Sequence, residues 1–290
     1  MRIVFAGTAD FARPTLDHLV EAGHVVAMVV TQPDRPGGRG LKPLTSAIKQ
    51  RASELELPIY QPTKIREVEA QDRVKELAAD AMVVVAYGQI LPSSLINAPR
   101  LGTLNVHASL LPRHRGPAPI EWAILSGDDH TGVTIMQMDA GVDTGPMLAQ
   151  VRIPIAADET AGLLATRLAD AGARLLVEVL PRIERGEVQA TPQPLEAATH
   201  APRLSSQDGK LDPTTMTAPE IDRRVRALAE RIGCWITING VALKVLKGHP
   251  GGAIGEGMSV DTKDGVYVLD EVQPAGGRRM SASAWARGRR

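Results

Sequence analysis

The stretch "RIVFAGTADFARPTLDHLVEAGHVVAMVV", residues 2–30, decides the fold. It opens on an apolar run that stops at Gly7. "FARPTLDHLVEAG" (11–23) then sets Leu16, Leu19 and Val20 at helical spacing and stops at Gly23. "VVAMVV" (25–30) is rich in β-branched residues with no apolar–polar alternation, the pattern of a strand buried on both faces. Strand, helix and strand in that order read as one βαβ unit.

The same order repeats further along. Helices are predicted over 45–57 and 64–78, a short strand at "PIYQP", and strands at "AMVVVAY" (81–87) and "GTLNVHAS" (102–109). A helix near 119–126, strands at "GVTIMQM" (132–138) and "MLAQVRIPI" (147–155), and a long helix over 160–185 follow. This alternation predicts an α/β fold: a Rossmann-like, mostly parallel, doubly wound sheet with helices on both faces. Ligands of such sheets bind beyond the carboxyl ends of the strands. Residues 186–213 are rich in Pro, Gly, Ser and Thr without a period, and 186–205 read as a linker. Beyond them, a helix over 218–231 precedes "CWITI", "VALKVL", "AIGEGMSV" and "GVYVLDEVQ", short strands separated by Gly-containing turns. They predict a small, mostly-β, barrel-like unit. The expected organisation is therefore a domain over 1–185, a linker over 186–205 and a second domain over 206–290.

Composition narrows the classes. Of 290 residues, 43% are apolar, enough for a core, but only 3% are aromatic, so that core must be Val, Leu, Ile and Ala. A single cysteine, Cys234, excludes an internal disulfide and a Cys-based metal site. The start "MRIVFAG" carries no signal-peptide n-region, and no apolar run approaches the roughly 20 residues a membrane helix needs. A soluble, cytoplasmic protein with no membrane partner is expected. Lys+Arg and Asp+Glu both number 33, yet residues 203–290 carry 14 Lys/Arg against 10 Asp/Glu, net +4, and residues 1–202 carry 19 against 23, net −4. A basic small domain beside an acidic large one permits a nucleic-acid partner.

Chemistry-bearing residues concentrate near one strand end. In "LNVHASLLPRHRGPAPI" (104–120), Asn105 and His107 fall two apart and so share a strand face, ahead of a Pro-rich turn and Arg115. An amide beside an imidazole can hold a developing oxyanion and move a proton. Asp143 lies in the Gly-bracketed turn "DAGVDTGPML", where a carboxylate could approach a neighbouring strand end and favour the charged imidazole. A lone strand histidine is also a common structural residue, and spacing leaves that alternative open. Ser109 lacks a G-x-S-x-G context, and no H-E-x-x-H pair is present, so direct transfer with neither a covalent intermediate nor a metal is expected. The first turn, "GTADFA" (7–12), has only the first Gly of a dinucleotide fingerprint; Thr8 and the first-turn N–H groups could hold an anion. "TQPDRPGGRGLKPL" (31–44) reads as a polar loop at a strand's carboxyl end, its Arg35, Arg39 and Lys42 free to contact phosphates.

"NVHASLLPRHRGPAPI" with "GVTIMQMDAGVDTGPML" resembles the folate-dependent formyltransferases, and "VFAGTADFA", "TQPDRPGGRG", "VVVAYGQILP" and "QPAGGRRMSA" extend the similarity from residue 2 to about 283. The resemblance implies a Rossmann-like domain that binds 10-formyltetrahydrofolate as formyl donor, and an OB-like barrel that binds initiator methionyl-tRNA. It assigns the catalytic roles to Asn105, His107 and Asp143, and the folate pocket to Gln89, Ile90 and Leu91 together with Ser109, Leu110, Leu111 and Pro112. It places the loop bearing Arg35, Arg39 and Lys42 at the tRNA acceptor end. No metal and no obligate protein partner are implied. The chain departs from the family in "RALAERIGCWITI", which lacks the usual Pro, and in "DPTTMTAPE", which lacks the usual Trp; both bear on how the second domain holds tRNA. The competing readings are a formyltransferase for a sugar-nucleotide or glycinamide-ribonucleotide amine, a hydrolase passing formyl to water, a non-catalytic folate- or tRNA-binding module, and a dehydrogenase.

Overall fold

A computed structural model describes residues 1–37, 42–252 and 257–288. The opening stretch forms β1 (Arg2–Gly7), α1 (Arg13–Glu21) and β2 (Val25–Val30), with β1 and β2 parallel. The polar loop holds two short strands, β3 (Arg35–Gly37) and β4 (Lys42–Leu44), paired antiparallel, where the sequence suggests only loop. Then come α2 (Ala47–Glu54), β5 (Ile59–Tyr60), α3 (Val68–Lys75), β6 (Ala81–Val85), α4 (Ser93–Ile96) and β7 (Thr103–His107). The run continues with α5 (Pro119–Leu125), β8 (His130–Gln137), β9 (Met147–Pro154) and α6 (Ala161–Glu184). The one-turn α4 carries too few residues for a periodic signal, so the sequence does not announce it.

Seven strands form one sheet in the order β5-β2-β1-β6-β7-β8-β9. β5, β2, β1, β6 and β7 run parallel, and β8 is antiparallel to β7. The chain leaves β1 toward β2 on one side and returns to β6 on the other, so strand order reverses at β1/β6, the switch point where such sheets take ligands. The unbroken apolar runs fill the core: Val4, Met28, Val30, Met82 and Val84 pack with Ile65, Val74 and Leu95. β1 can end close to β6 because residue 7 is glycine; a Cβ there would stand 3.1 Å from the Val85 carbonyl oxygen and 2.8 Å from the Phe5 ring.

Packing divides the chain into two units. One comprises Met1–Gly116, Thr131–Ile153 and Ala165–His200; the other comprises Pro117–His130, Pro154–Leu164 and Ala201–Arg290. Helix α5 therefore packs in the second unit, although it precedes β8 in the chain. In that unit α7 (Ala218–Leu228) starts on a capping box in which Thr217 and Glu220 satisfy each other's backbone N–H, and it buries Ile221, Val225 and Leu228 at helical spacing. The strands β10 (Cys234–Ile238), β11 (Val241–Pro250), β12 (Met258–Asp261), β13 (Val266–Pro274) and β14 (Met280–Ser281) form an antiparallel sheet in the order β10-β11-β13-β12, with β14 on β13. A short α8 (Ala282–Arg287), not expected from the sequence, buries Trp285. No helix among the described residues is long and apolar enough to cross a membrane.

Candidate active site

Asn105 is the middle residue of β7 and His107 its last. Register pairs Val84 of β6 with Asn105, and His107 with Thr134 of β8, so the two side chains stand where the parallel strands finish. His107 is buried and Asn105 half-buried. The His107 Nε2 donates to the His114 carbonyl oxygen at 3.0 Å; a carbonyl can only accept, so Nε2 bears the proton and Nδ1 faces Asp143. His107 and His114, which lie in different local structures, thus meet through a backbone oxygen.

Asp143 comes from the β8–β9 turn with φ 54°, in the left-handed region. Gly145 lets the turn close: a Cβ there would lie 1.9 Å from the Gln137 carbonyl oxygen. The Asp139 carboxylate accepts from Gly141 N at 3.0 Å and Thr144 Oγ1 at 2.7 Å, bracing the same turn. The Asp143 carboxylate is oriented by both oxygens. Its Oδ2 accepts from the Gly116 N–H at 2.9 Å; its Oδ1 accepts from Asn105 Nδ2 at 3.3 Å and lies 3.6 Å from His107 Nδ1. The structure therefore brings Asn105, His107 and Asp143 together around one carboxylate oxygen, though they are separated by up to 38 residues.

Two runs follow adjacent strands. Gln89, Ile90 and Leu91 follow β6: Gln89 accepts from Ile65 N at 2.9 Å and donates to Pro62 O at 3.2 Å, Ile90 is 86% exposed, and Leu91 is buried. Ser109, Leu110, Leu111 and Pro112 follow β7, with a cis Leu111–Pro112 peptide. Their backbone is tied down by Thr134 Oγ1, which donates to Ser109 O at 2.7 Å and accepts from Leu111 N at 3.0 Å, while Ser109 Oγ donates to Arg113 O at 2.6 Å. Burial pushes the Tyr87 hydroxyl well above its usual range, and Tyr60 adds to the shift, so it stays protonated near neutral pH.

Of the loop cations, Arg35 is exposed and donates to Gln32 Oε1; it lines a cavity of about 360 Å³ with Lys64, Arg66, Gln89 and Ile90. Asp34 beside it bonds Lys49 Nζ at 2.6 Å and Gln61, which together hold its carboxyl below the usual range. Lys42 has its backbone on β4, and Arg39 lies outside the described residues. Thr8 is engaged internally: its hydroxyl donates to Tyr87 O at 2.8 Å and accepts from Gln32 N at 3.3 Å, so it does not serve as the anion holder its position suggests. Among the described residues no group of three or more His, Cys, Asp or Glu could hold a metal ion.

Gln193, in the stretch read as linker, is a site residue that sequence reasoning misses. It is buried and its Nε2 donates to Asp143 O at 2.9 Å and Gly145 O at 2.7 Å, while its Oε1 accepts from the buried Arg115 Nε at 2.9 Å. No periodicity marks it, because it lies between an isolated bridge at Thr191 and a single 3-10 turn over Leu195–Ala197.

Known proteins resemble this chain over its whole length. A family model described as formyl transferase matches residues 1–180, and one described as formyl transferase, C-terminal domain, matches 203–290. A methionyl-tRNA formyltransferase of Halorhodospira halophila is 48% identical over 301 residues, covering 100% of this chain and 96% of that protein. One from Thiobacillus denitrificans is 46% identical, covering 100% and 97%. Among solved structures, HypX from Aquifex aeolicus in complex with tetrahydrofolic acid has a TM-score of 0.69 at 17% identity, covering 99% of this chain and 47% of that one. An N-formyltransferase from Helicobacter canadensis, in complex with folinic acid and dTDP-3-aminofucose, also has a TM-score of 0.69, at 18% identity, covering 96% and 99%. These two likenesses show the fold. With both units matched by the family's models and full-length relatives near half identical, the chain belongs to the formyl transferase family.

Proposed function

We propose that this chain transfers the formyl group of 10-formyltetrahydrofolate to the α-amine of methionyl-initiator-tRNA, in the cytoplasm. The observation that carries this is the identity of 44–48% to methionyl-tRNA formyltransferases across 99–100% of the chain, both units included. The amine nitrogen attacks the formyl carbon, and the carbonyl oxygen gains negative charge. Asn105 Nδ2 and the Nδ1–H of protonated His107, whose Nε2–H stays on the His114 carbonyl, stabilise that oxygen. Asp143 Oδ1, with Oδ2 tied to Gly116, orients His107 and takes the amine's proton directly or through water. Folate N10 then leaves as the C–N bond to the formyl carbon breaks, and it takes up a proton, so the exchange balances.

The folate lies along Gln89, Ile90 and Leu91 and along Ser109, Leu110, Leu111 and Pro112. These runs leave neighbouring strand ends, and the Gln89 side chain is already bonded to residues 62–65, so its backbone makes the contact. Arg35, Arg39 and Lys42 contact tRNA phosphates, and the basic region 206–290 forms the tRNA-binding domain, joined through 186–205 to a folate-binding catalytic domain over 1–185. Labelled formyl transfer from 10-formyltetrahydrofolate, offered in parallel to Met-tRNA and to a dTDP-amino sugar, tests the reading. Transfer to the tRNA alone is expected. Transfer to the sugar alone would overturn it in favour of the acceptor class named for the Helicobacter canadensis structure.

A further inference from the structure

We propose that Gln193 is a positioning residue for the Asp143 carboxylate, acting through the backbone of the turn that carries it and held in place by Arg115. The inference rests on the reading of Asp143 given above. A non-glycine residue at φ 54° is strained and persists only where its surroundings over-determine it. Gln193 supplies that constraint. Its two amide N–H groups span the turn from Asp143 O to Gly145 O, and its oxygen takes the Arg115 guanidinium. The amide has one workable orientation: flipped, its oxygen would face two carbonyls and its N–H groups a cation. Gln193 is 8% exposed and Arg115 6%, so water does not replace these bonds.

The same segment braces the other half of the trio. Met147 and Thr191 exchange backbone hydrogen bonds at 2.8 and 2.9 Å, seating Gln193 against the turn. Thr199 accepts from His114 N through its hydroxyl at 2.8 Å and from Arg115 N through its carbonyl at 2.9 Å. His114 supplies the carbonyl that holds His107 Nε2, and Gly116 the N–H that holds Asp143 Oδ2. The 191–199 strap thus fixes both neighbours of the reacting groups. Among the described residues the buried Arg115 Nη2 has no hydrogen-bond partner, so Gln193 Oε1 is a bond the guanidinium has little to replace.

The test crosses Gln193→Glu and Gln193→Met with Asp143→Asn in the full chain. Glutamate keeps a partner for Arg115 but removes both donors to the turn; methionine keeps the volume and removes all three bonds. The readouts are kcat and KM for folate and for the tRNA acceptor, folate binding, and thermal unfolding. Each single Gln193 variant should lose about 10–100-fold in kcat with both KM values within about 3-fold, the signature of an interaction made only in the transition state. In the Asp143→Asn background the same changes should cost less than about 3-fold more, because the carboxylate they position is gone. Unchanged kcat in folded Gln193 variants, beside a large loss in Asp143→Asn, would overturn the proposal and leave the Asp143 reading intact. Losses that multiply in the double variants would also overturn it. If Asp143→Asn alone retains full activity, the site reading itself fails and this inference with it. Loss of both folate binding and cooperative unfolding in both Gln193 variants would assign the residue to stability alone, again overturning it.

Discussion

Strand β7 of the first unit carries Asn105 and ends on the buried His107, and the segments against it bury Ser109, His114, Arg115, Thr134 and Gln193. The sheet of the second unit buries Ile236, Leu243, Val245, Val268, Leu269 and Val272; among its described residues only the Cys234 thiol and the Tyr267 hydroxyl bring a polar group inside. Lys244 and Lys247 of β11 are exposed instead. Each kind of work therefore has its own place. A polar group out of water costs free energy unless bonded, so a buried polar cluster survives where its members have partners and a task. The sheet of the second unit keeps Lys244 and Lys247 outside, where they can meet phosphates without desolvation. Substitutions in the first unit should strike the chemical step, and those in the second should strike association or stability.

The largest expected effect is at Asp143. Asp143→Asn keeps the shape and the Gly116 bond but removes the charge and the proton acceptor, so kcat should fall about 10²–10⁴-fold with folate affinity unchanged. Equal loss of folate binding would blur the contrast, because the residue would then act as a binding group. Asn105→Ala should follow at about 10²–10³-fold in kcat, the scale of removing one oxyanion donor, read in single-turnover assays.

Next comes the second unit. Lys244→Glu with Lys247→Glu should raise KM for Met-tRNA and lower its salt slope by about one for each phosphate no longer neutralised, leaving kcat at saturating tRNA in place. A fall in kcat with an unchanged slope would put chemistry in the region assigned to association.

The smallest effect concerns alkaline stability. Burial pushes the Cys234 thiol up to about 12, against a lesser opposing pull from Arg224 and Lys244. Above the usual thiol range the unfolded chain gives up this proton and the folded chain keeps it, so stability contributed by the neutral thiol is present below pH 9 and lost as pH rises toward about 12. Denaturant titrations across that window should show a shallower decline for Cys234→Ala than for the parent chain. Equal slopes would mean that the thiol is hydrated in the folded state.

How much of this the sequence carried depends on the range of the interaction. Residues 2–30 announced their βαβ unit because unbroken apolar runs and a 3.6-residue apolar period are local properties. Asn105 and His107 were legible as a same-face pair for the same reason, and Gly141 and Gly145 marked the turn that brings Asp143 to them. The packing of α5 with α7 was not legible, since chain order assigns α5 to the first sheet. The pairing of β3 with β4 escaped because Pro and Gly mask strand pattern. Gln193 escaped altogether: its three bonds reach residues 48–78 positions away, and no local rule predicts a bond over that span.

The most direct test is transfer of labelled formyl from 10-formyltetrahydrofolate to Met-tRNA by the parent chain and by His107→Ala side by side. Transfer by the parent and near-total loss in the variant, with folate still bound, are expected. Undiminished transfer by His107→Ala would contradict the assignment, because the strand end around Asn105, His107 and Asp143 would then not be where the formyl group moves.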